Sequence, residues 1–266
     1  MARLQKAPVV YVLGVVRFPQ LVDIDQLAAA LHPRLRDDYP HAQQITAPHV
    51  SIEIGDDGLH VRNEEIRIWQ FSSLDRKWAV ILNAGMIGLH TVDYTERMDF
   101  FARFGAAVQA ASEVPDAGIR FVEALALRYV DLVEPAPGDG VADYVVPTVL
   151  PSEVPGIEGL GIQDGVFAAR YVTGLGNMRL QVLRRPPSVF PPELNTPVTH
   201  ANEWGLVRPE GDFAVIDTDH GMSFNPPAPL DVTELKDNML KLHGPIRSIF
   251  DKVVTGHAMS VWKGEA

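Results

Sequence analysis

Cysteine is absent from the 266 residues. That excludes disulfides, thiolate zinc sites, iron–sulfur clusters and a cysteine nucleophile together. Basic residues are also scarce: 23 Lys and Arg stand against 34 Asp and Glu, a formal net charge of -11. An acidic surface repels phosphate backbones, so no sequence-independent binding of nucleic acid is expected. The densest basic run, Leu183-Arg184-Arg185, is short and stops at Pro186-Pro187. Long apolar runs are missing as well. No stretch approaches the roughly 20 residues that span a bilayer, and the first residues lack the small-residue cleavage site of a secretory signal. These absences point to the cytoplasm and away from a membrane partner.

A 46% hydrophobic fraction, in contrast, suffices for a sizeable core. Val9 to Val16 is rich in β-branched residues and predicts a buried strand that Pro19 stops. Asp23 to Arg36 carries Ile24, Leu27, Ala28, Leu31 and Leu35 at helical spacing. Four extended runs follow (Pro48 to Ile54, Glu65 to Phe71, Lys77 to Asn83, Met86 to Val92), then a helix from Thr95 to Ala111. A second series opens with a strand at Ile119 to Val133. A Pro/Gly-rich stretch at 134–165 replaces the short helix, and strands are predicted at Val166 to Val172, Met178 to Leu183, Asn202 to Val207 and Phe213 to Asp217. A helix from Val232 to Val254 closes the series, with a short strand at Ala258 to Trp262 after it.

Similar segments recur between the two series. Trp78-Ala79-Val80-Ile81, Gly85-Met86 and Asp93-Tyr94-Thr95-Glu96 are echoed by Phe213-Ala214-Val215-Ile216, Gly221-Met222 and Asp231-Val232-Thr233-Glu234. Each Asp-x-Thr-Glu predicts a helix N-cap. A further echo, inside the second series, is Ala126-Leu127-Arg128-Tyr129-Val130 against Ala168-Ala169-Arg170-Tyr171-Val172. The expected fold class is therefore α+β, built from two pseudo-repeats of β-α-β4-α at 1–115 and 116–266. They would form one continuous structural unit, a curved antiparallel sheet with the long helices on one face. That architecture resembles the TATA-binding-protein-like folds, without the basic surface that reads DNA.

Pro8-Val9-Val10-Tyr11 leading to Arg17-Phe18-Pro19, Arg128-Tyr129-Val130-Asp131 mid-chain, and Leu242-His243 with Ile249-Phe250 near the end carry a further likeness. The chain resembles a sporadically distributed prokaryotic family of uncharacterised proteins of about this length, with a Phe-Pro opening and a central Arg-Tyr-Ile-Asn-like strand. Val130-Asp131 here departs from the Ile-Asn of that pattern. The resemblance implies a patchy, mobile-element-like distribution and no established activity.

No motif identifies a reaction, cofactor or metal. Asp217-Thr218-Asp219-His220 with His200 and Glu203 holds metal-ligand residue types. Alternation along a strand, however, puts His220 on the other face from Asp217 and Asp219, and a polar turn accounts for the cluster. His49-Val50-Ser51 has the His-x-Ser spacing of two-histidine phosphoesterases, but the required second copy is missing. Gly174-Leu175-Gly176 precedes no helix and predicts a hairpin turn.

Arg128 and Arg170, each within an apolar strand, are the candidate ligand-binding residues. A cation there must be paired or must face a wet cleft. One reading is an anion site made by the two arginines together; the other is structural pairing with Asp131, Glu123 or Glu158. In the closing helix Gly244-Pro245 predicts a bend or break near His243. The polar edge with Lys241, Arg247 and Lys252 is a candidate site for a protein partner. The leading functional expectation is a non-enzymatic interaction protein, an accessory, immunity or antitoxin-like partner in a prokaryotic mobile or defence locus. The alternative is a small-ligand or anion sensor, or an enzyme, using Arg128 and Arg170 on the concave sheet face.

Overall fold

Val9–Arg17 (β1) is β-branched along most of its length and is paired on both sides, which suits a central strand. The computed structural model describes residues 6–55, 58–154, 157, 161–191, 194 and 204–265, without the side chains of 47–64. After β1 come α1 (Ile24–Leu35), β2 (His41–Gly55), β3 (Gly58–Ser72), β4 (Trp78–Asn83), β5 (Met86–Thr91) and α2 (Arg97–Ser112). The chain continues with β6 (Phe121–Val133), a 3-10 turn at Val141–Asp143, β7 (Gly165–Val172), β8 (Asn177–Arg184) and β9 (Ala214–Pro229). It closes with α3 (Val232–Val253) and α4 (Gly256–Lys263). All nine strands form one open antiparallel sheet in the order β2-β3-β4-β5-β1-β6-β9-β8-β7. The protein is α+β, with four α-helices among the described residues.

The helices cover one face. Leu27 and Leu31 of α1, Phe100, Phe104 and Val108 of α2, and Leu235, Met239 and Leu242 of α3 bury against Val12, Leu82, Leu89 and Leu127 of the sheet. These apolar residues recur every three or four positions, so each helix presents one stripe. A second core joins Phe250 and Val253 of α3 and Trp262 of α4 to Leu180, Val182 and Ile216. Among the described residues no helix is long and apolar enough to cross a membrane.

Only one of the two predicted Asp caps forms. Asp231 precedes α3 and accepts from the N–H groups of Thr233 and Glu234 at 2.7 and 3.1 Å. In the other segment α2 begins at Arg97, and its N-cap Glu96 makes no side-chain capping bond. Replacing Asp231 with Ala should therefore cost about 1 kcal/mol in urea unfolding. Asp93→Ala should cost only a few tenths, because the exposed Lys77–Asp93 pair at 3.8 Å contributes little.

Other expectations need correction. Residues 258–262 are not a strand: Thr255 caps α4 by accepting from the Ala258 N–H, and Gly264 ends it at φ +75°. Buried Ala258 and Trp262 are four residues apart, about one helical turn, so they lie on the inward face of α4. Residues 204–207 form no strand, and 202–203 lie outside the described residues. Gly244-Pro245 does not break α3, which runs through as one helix. The segment Asp217 to His220 is not a turn but the interior of β9.

Candidate functional site

The sheet face away from the helices is open at one end and partly covered elsewhere. Among the described residues its cover comes from 186–191, 194 and 204–213, whose Val189, Phe190, Leu194 and Phe213 pack on Tyr11, Val130, Leu183 and Val215. The short basic run noted in the sequence holds this segment at its base. Arg184 donates to both carboxylate oxygens of Asp212 at 3.0 and 2.7 Å, and Arg185 donates to the same residue at 3.0 Å. At the far side the Trp204 indole N–H donates to the Arg76 carbonyl at 2.9 Å.

A polar seam crosses this face. Leu13 of β1, Arg128 of β6, Asp219 of β9, Arg179 of β8 and Arg170 of β7 are cross-strand neighbours in a single row. Asp217, two residues before Asp219, shares its face. Arg128 reaches diagonally to Asp217 and donates to both its oxygens at 2.6 and 2.7 Å, the fork geometry of a bidentate pair. Arg179 approaches the same carboxylate from the other side at 3.5 Å. Asp217 is fully buried and the Arg128 side chain is 8% exposed, so this is an interior ion pair. Near it the Tyr11 phenol is buried, which pushes its pKa up, with Arg128 opposing.

Arg128 is thus paired with Asp217, rather than with the sequence-predicted Asp131 or Glu123; Glu158 lies outside the described residues. Asp131 is three positions from Arg128 and points to the opposite face of the strand, while Glu123 sits in the bulge between Val122 and Ala124, away from the Asp217 pair. Arg128 and Arg170 do share a face and a row, as expected for two parts of one surface. Two strands separate them, however, which puts their backbones roughly 14 Å apart at normal strand spacing. Arg170 is exposed and has no ion-pair or hydrogen-bond partner among the described residues. With Arg128 occupied by Asp217, the two do not converge on one small anion.

The row of β7 that carries Arg170 is the uncovered part of the face. Val166, Ala168, Arg170 and Val172 are all exposed, Val166 at 60% and Val172 at 88%. β7 is an edge strand, and its partner on one side is β8.

Elsewhere the sequence-predicted residues stay apart. On α3, Lys241 and Lys252 are exposed and share a face three turns apart, and Lys241 donates to the Asn238 side chain at 3.1 Å. Arg247 lies a third of a turn away, ion-paired with Asp251 at 2.7 Å and stacked over Phe250. The three do not form one basic strip. His220 is buried behind the seam, between the Thr173 hydroxyl and the Leu242 carbonyl, both at 2.9 Å. His200 and Glu203 lie outside the described residues, as do the side chains of His49 and Ser51. Among the described residues no group of three or more His, Asp or Glu side chains is placed to hold a metal ion. Gly174-Leu175-Gly176 is the β7–β8 turn, with the Thr173 hydroxyl accepting from the N–H groups of Leu175 and Gly176 at 3.1 Å.

Sequence reasoning missed a second polar cluster, under α3 on the helix face. The Tyr94 and Tyr129 hydroxyls are 3.2 Å apart, and the His243 ring lies 5.6 Å from that of Tyr129. Asp131 follows two residues after Tyr129 and is 7% exposed. Its carboxyl has no hydrogen-bond or ion-pair partner among the described residues. Burial pushes its pKa up to about 7, against the pull of Arg247 and with added repulsion from Asp217. Burial takes His243 the other way, down to about 4, helped by Arg97 and Arg247. Its Nδ1 has no hydrogen-bond partner among the described residues.

Fold and surface together define an α+β protein with an open antiparallel sheet, helices on one face, and a charge-paired seam running to a bare edge strand on the other. No protein-family model matches the chain, no curated protein matches it in sequence, and no solved structure matches its fold.

Proposed function

We propose that the chain is a non-enzymatic interaction protein whose docking surface is the uncovered β7 end of the sheet. The observation that carries this reading is the exposed row Val166, Ala168, Arg170 and Val172 on an edge strand. Isolated exposed valines are ordinary. An apolar row along an unprotected strand edge is not, because such edges recruit other chains and are usually blunted. The anion-sensor alternative loses support, since Asp217 already occupies the Arg128 fork. The family resemblance points to partners encoded nearby in a mobile or defence locus.

The strand order also supports the internal duplication at 1–115 and 116–266 within one structural unit. From the central β1–β6 pair, β5-β4-β3-β2 runs outward on one side and β9-β8-β7 on the other, and a long helix follows both β5 and β9. This equivalence matches β9 to β5, not to β4 as the echo of Trp78–Ile81 in Phe213–Ile216 would have it, and leaves β2 and α1 without counterparts beside the Pro/Gly-rich stretch.

Co-expression with the products of the genes flanking its own in the native host tests the function. At least one should co-purify with the chain, and the double variant Val166→Glu/Val172→Glu should lose it while keeping its thermal midpoint. Failure of every flanking product to co-purify, or equal recovery by the variant, removes this surface and the function built on it.

A further inference from the structure

We infer that the partner segment, on the interaction reading above, is an extended strand added to the outer edge of β7, with an acidic side chain set against Arg170. The backbone direction follows from the hairpin. The Thr173 N–H donates to the Gly176 carbonyl at 2.7 Å, which makes Thr173 and Gly176 a hydrogen-bonded pair. Such pairs alternate along an antiparallel ladder. In the β7–β8 register, the odd-numbered residues of β7 therefore spend their N–H and C=O groups on β8. Those of Val166, Ala168, Arg170 and Val172 point away from the sheet. Among the described residues nothing pairs with them. The same four residues expose their side chains, so an incoming strand meets free backbone and an apolar row together.

The defences an edge strand can carry in its own residues are missing. Gly165–Val172 contains no proline and no lysine, and its pairing with β8 shows no register shift. Its one charge is Arg170, which lies directly opposite Arg179. Like charges facing each other across a ladder are destabilising. Inward along the row Asp219 lies beside Arg179, and Asp217 reaches it diagonally. The outward side of Arg170 has no such carboxylate among the described residues. A carboxylate on an added strand would continue the alternation of charge along the row, and valine-like side chains two positions either side would meet Ala168 and Val172. A second copy of this chain fits less well. It would bring another Arg170 to the same edge, and each copy carries a net charge of -11.

The probe is a displayed library of random eight-residue peptides selected on the full-length chain. Selected peptides should alternate β-branched residues with a central Asp or Glu. Replacing that acid with Lys should weaken binding at least tenfold. Arg170→Glu should reverse the preference, so that Lys-centred peptides bind. Ala168→Pro removes an outward N–H without touching the β8 ladder, so it should abolish binding at an unchanged thermal midpoint. Three results overturn the inference: no enrichment, peptides that bind Ala168→Pro as well as the parent, or peptides indifferent to charge at Arg170. A dimer that Ala168→Pro dissolves also overturns it, by assigning the edge to a second copy. Any of these, alongside a flanking-gene partner still lost by Val166→Glu/Val172→Glu, refutes strand addition and leaves the interaction reading standing.

Discussion

Asp217→Ala should destabilise the protein by about 3–5 kcal/mol, because it takes from the buried Arg128 cation the carboxylate that it holds with two bonds. Both side chains are almost wholly removed from water, at 8% and 0% exposure. The bidentate geometry means that one substitution deletes two charge-assisted hydrogen bonds. Arg179, on the far side, loses the same partner. The cost reflects the burial of the remaining charge more than the worth of the pair. Replacing both partners, as Arg128→Met with Asp217→Leu, should therefore recover most of the loss. Urea unfolding at neutral pH measures all three proteins. A loss below about 1 kcal/mol for Asp217→Ala would contradict an interior ion pair.

The second large effect is on pH dependence, where a buried carboxyl and a half-buried imidazole oppose each other. Asp131 moves from 3.8 to about 7, so between those values the folded protein holds a proton that the unfolded chain has released. Its contribution is full below the ordinary value and is lost as pH rises through about 7. His243 moves from 6.5 to about 4, so there the unfolded chain holds the extra proton. Its contribution is full above 6.5 and is lost as pH falls through about 4. At about 1.4 kcal/mol per pH unit, the shifts correspond to ~4 and ~3 kcal/mol. From pH 4 to 6.5 the two slopes cancel. Asp131→Asn should unmask a stability that rises with pH across this window, and should be more stable than the parent at pH 8. His243→Phe should do the reverse, falling as pH rises from 4 to 7. The groups facing this pair are Tyr94, Arg97, Tyr129, Asp217 and Arg247, and all remain in both variants. Parallel stability curves for parent and variants at pH 4.5, 5.5, 6.5 and 8 would rule this account out.

Local periodicity carried much of the fold into the sequence. β1, β4, β5, α2 and α3 follow from runs of β-branched residues or from three-and-four spacing, which depend only on neighbours. Where the local signal was mixed, the outcome differed. Ala258 to Trp262 contains Val, Trp and Met, which suit a strand, yet the Thr255 cap and Gly264 enclose a single helical stretch. The site was legible in the same partial way. Arg128 stood out as a cation in an apolar strand, but its partner lies 89 residues further on. Alternation alone would have excluded Asp131, but Asp217 becomes the partner only through the pairing of β6 with β9. That Asp131 and His243 both answer to Arg247 could not have been read from sequence, because it follows from α3 being laid across β6.

The joint between β1 and β6 governs how the protein is made. β5 closes one side of β1 as soon as Thr91 has emerged, but the other side must wait for Val133. That interval is about forty residues, a few seconds of synthesis at ~5–20 residues per second. Throughout it, a nascent chain that has built one half of its sheet carries a raw β-branched margin of the kind that captures stray strands. Release of the finished half as an independent domain would make that exposure permanent, so the two halves should fold as one cooperative unit.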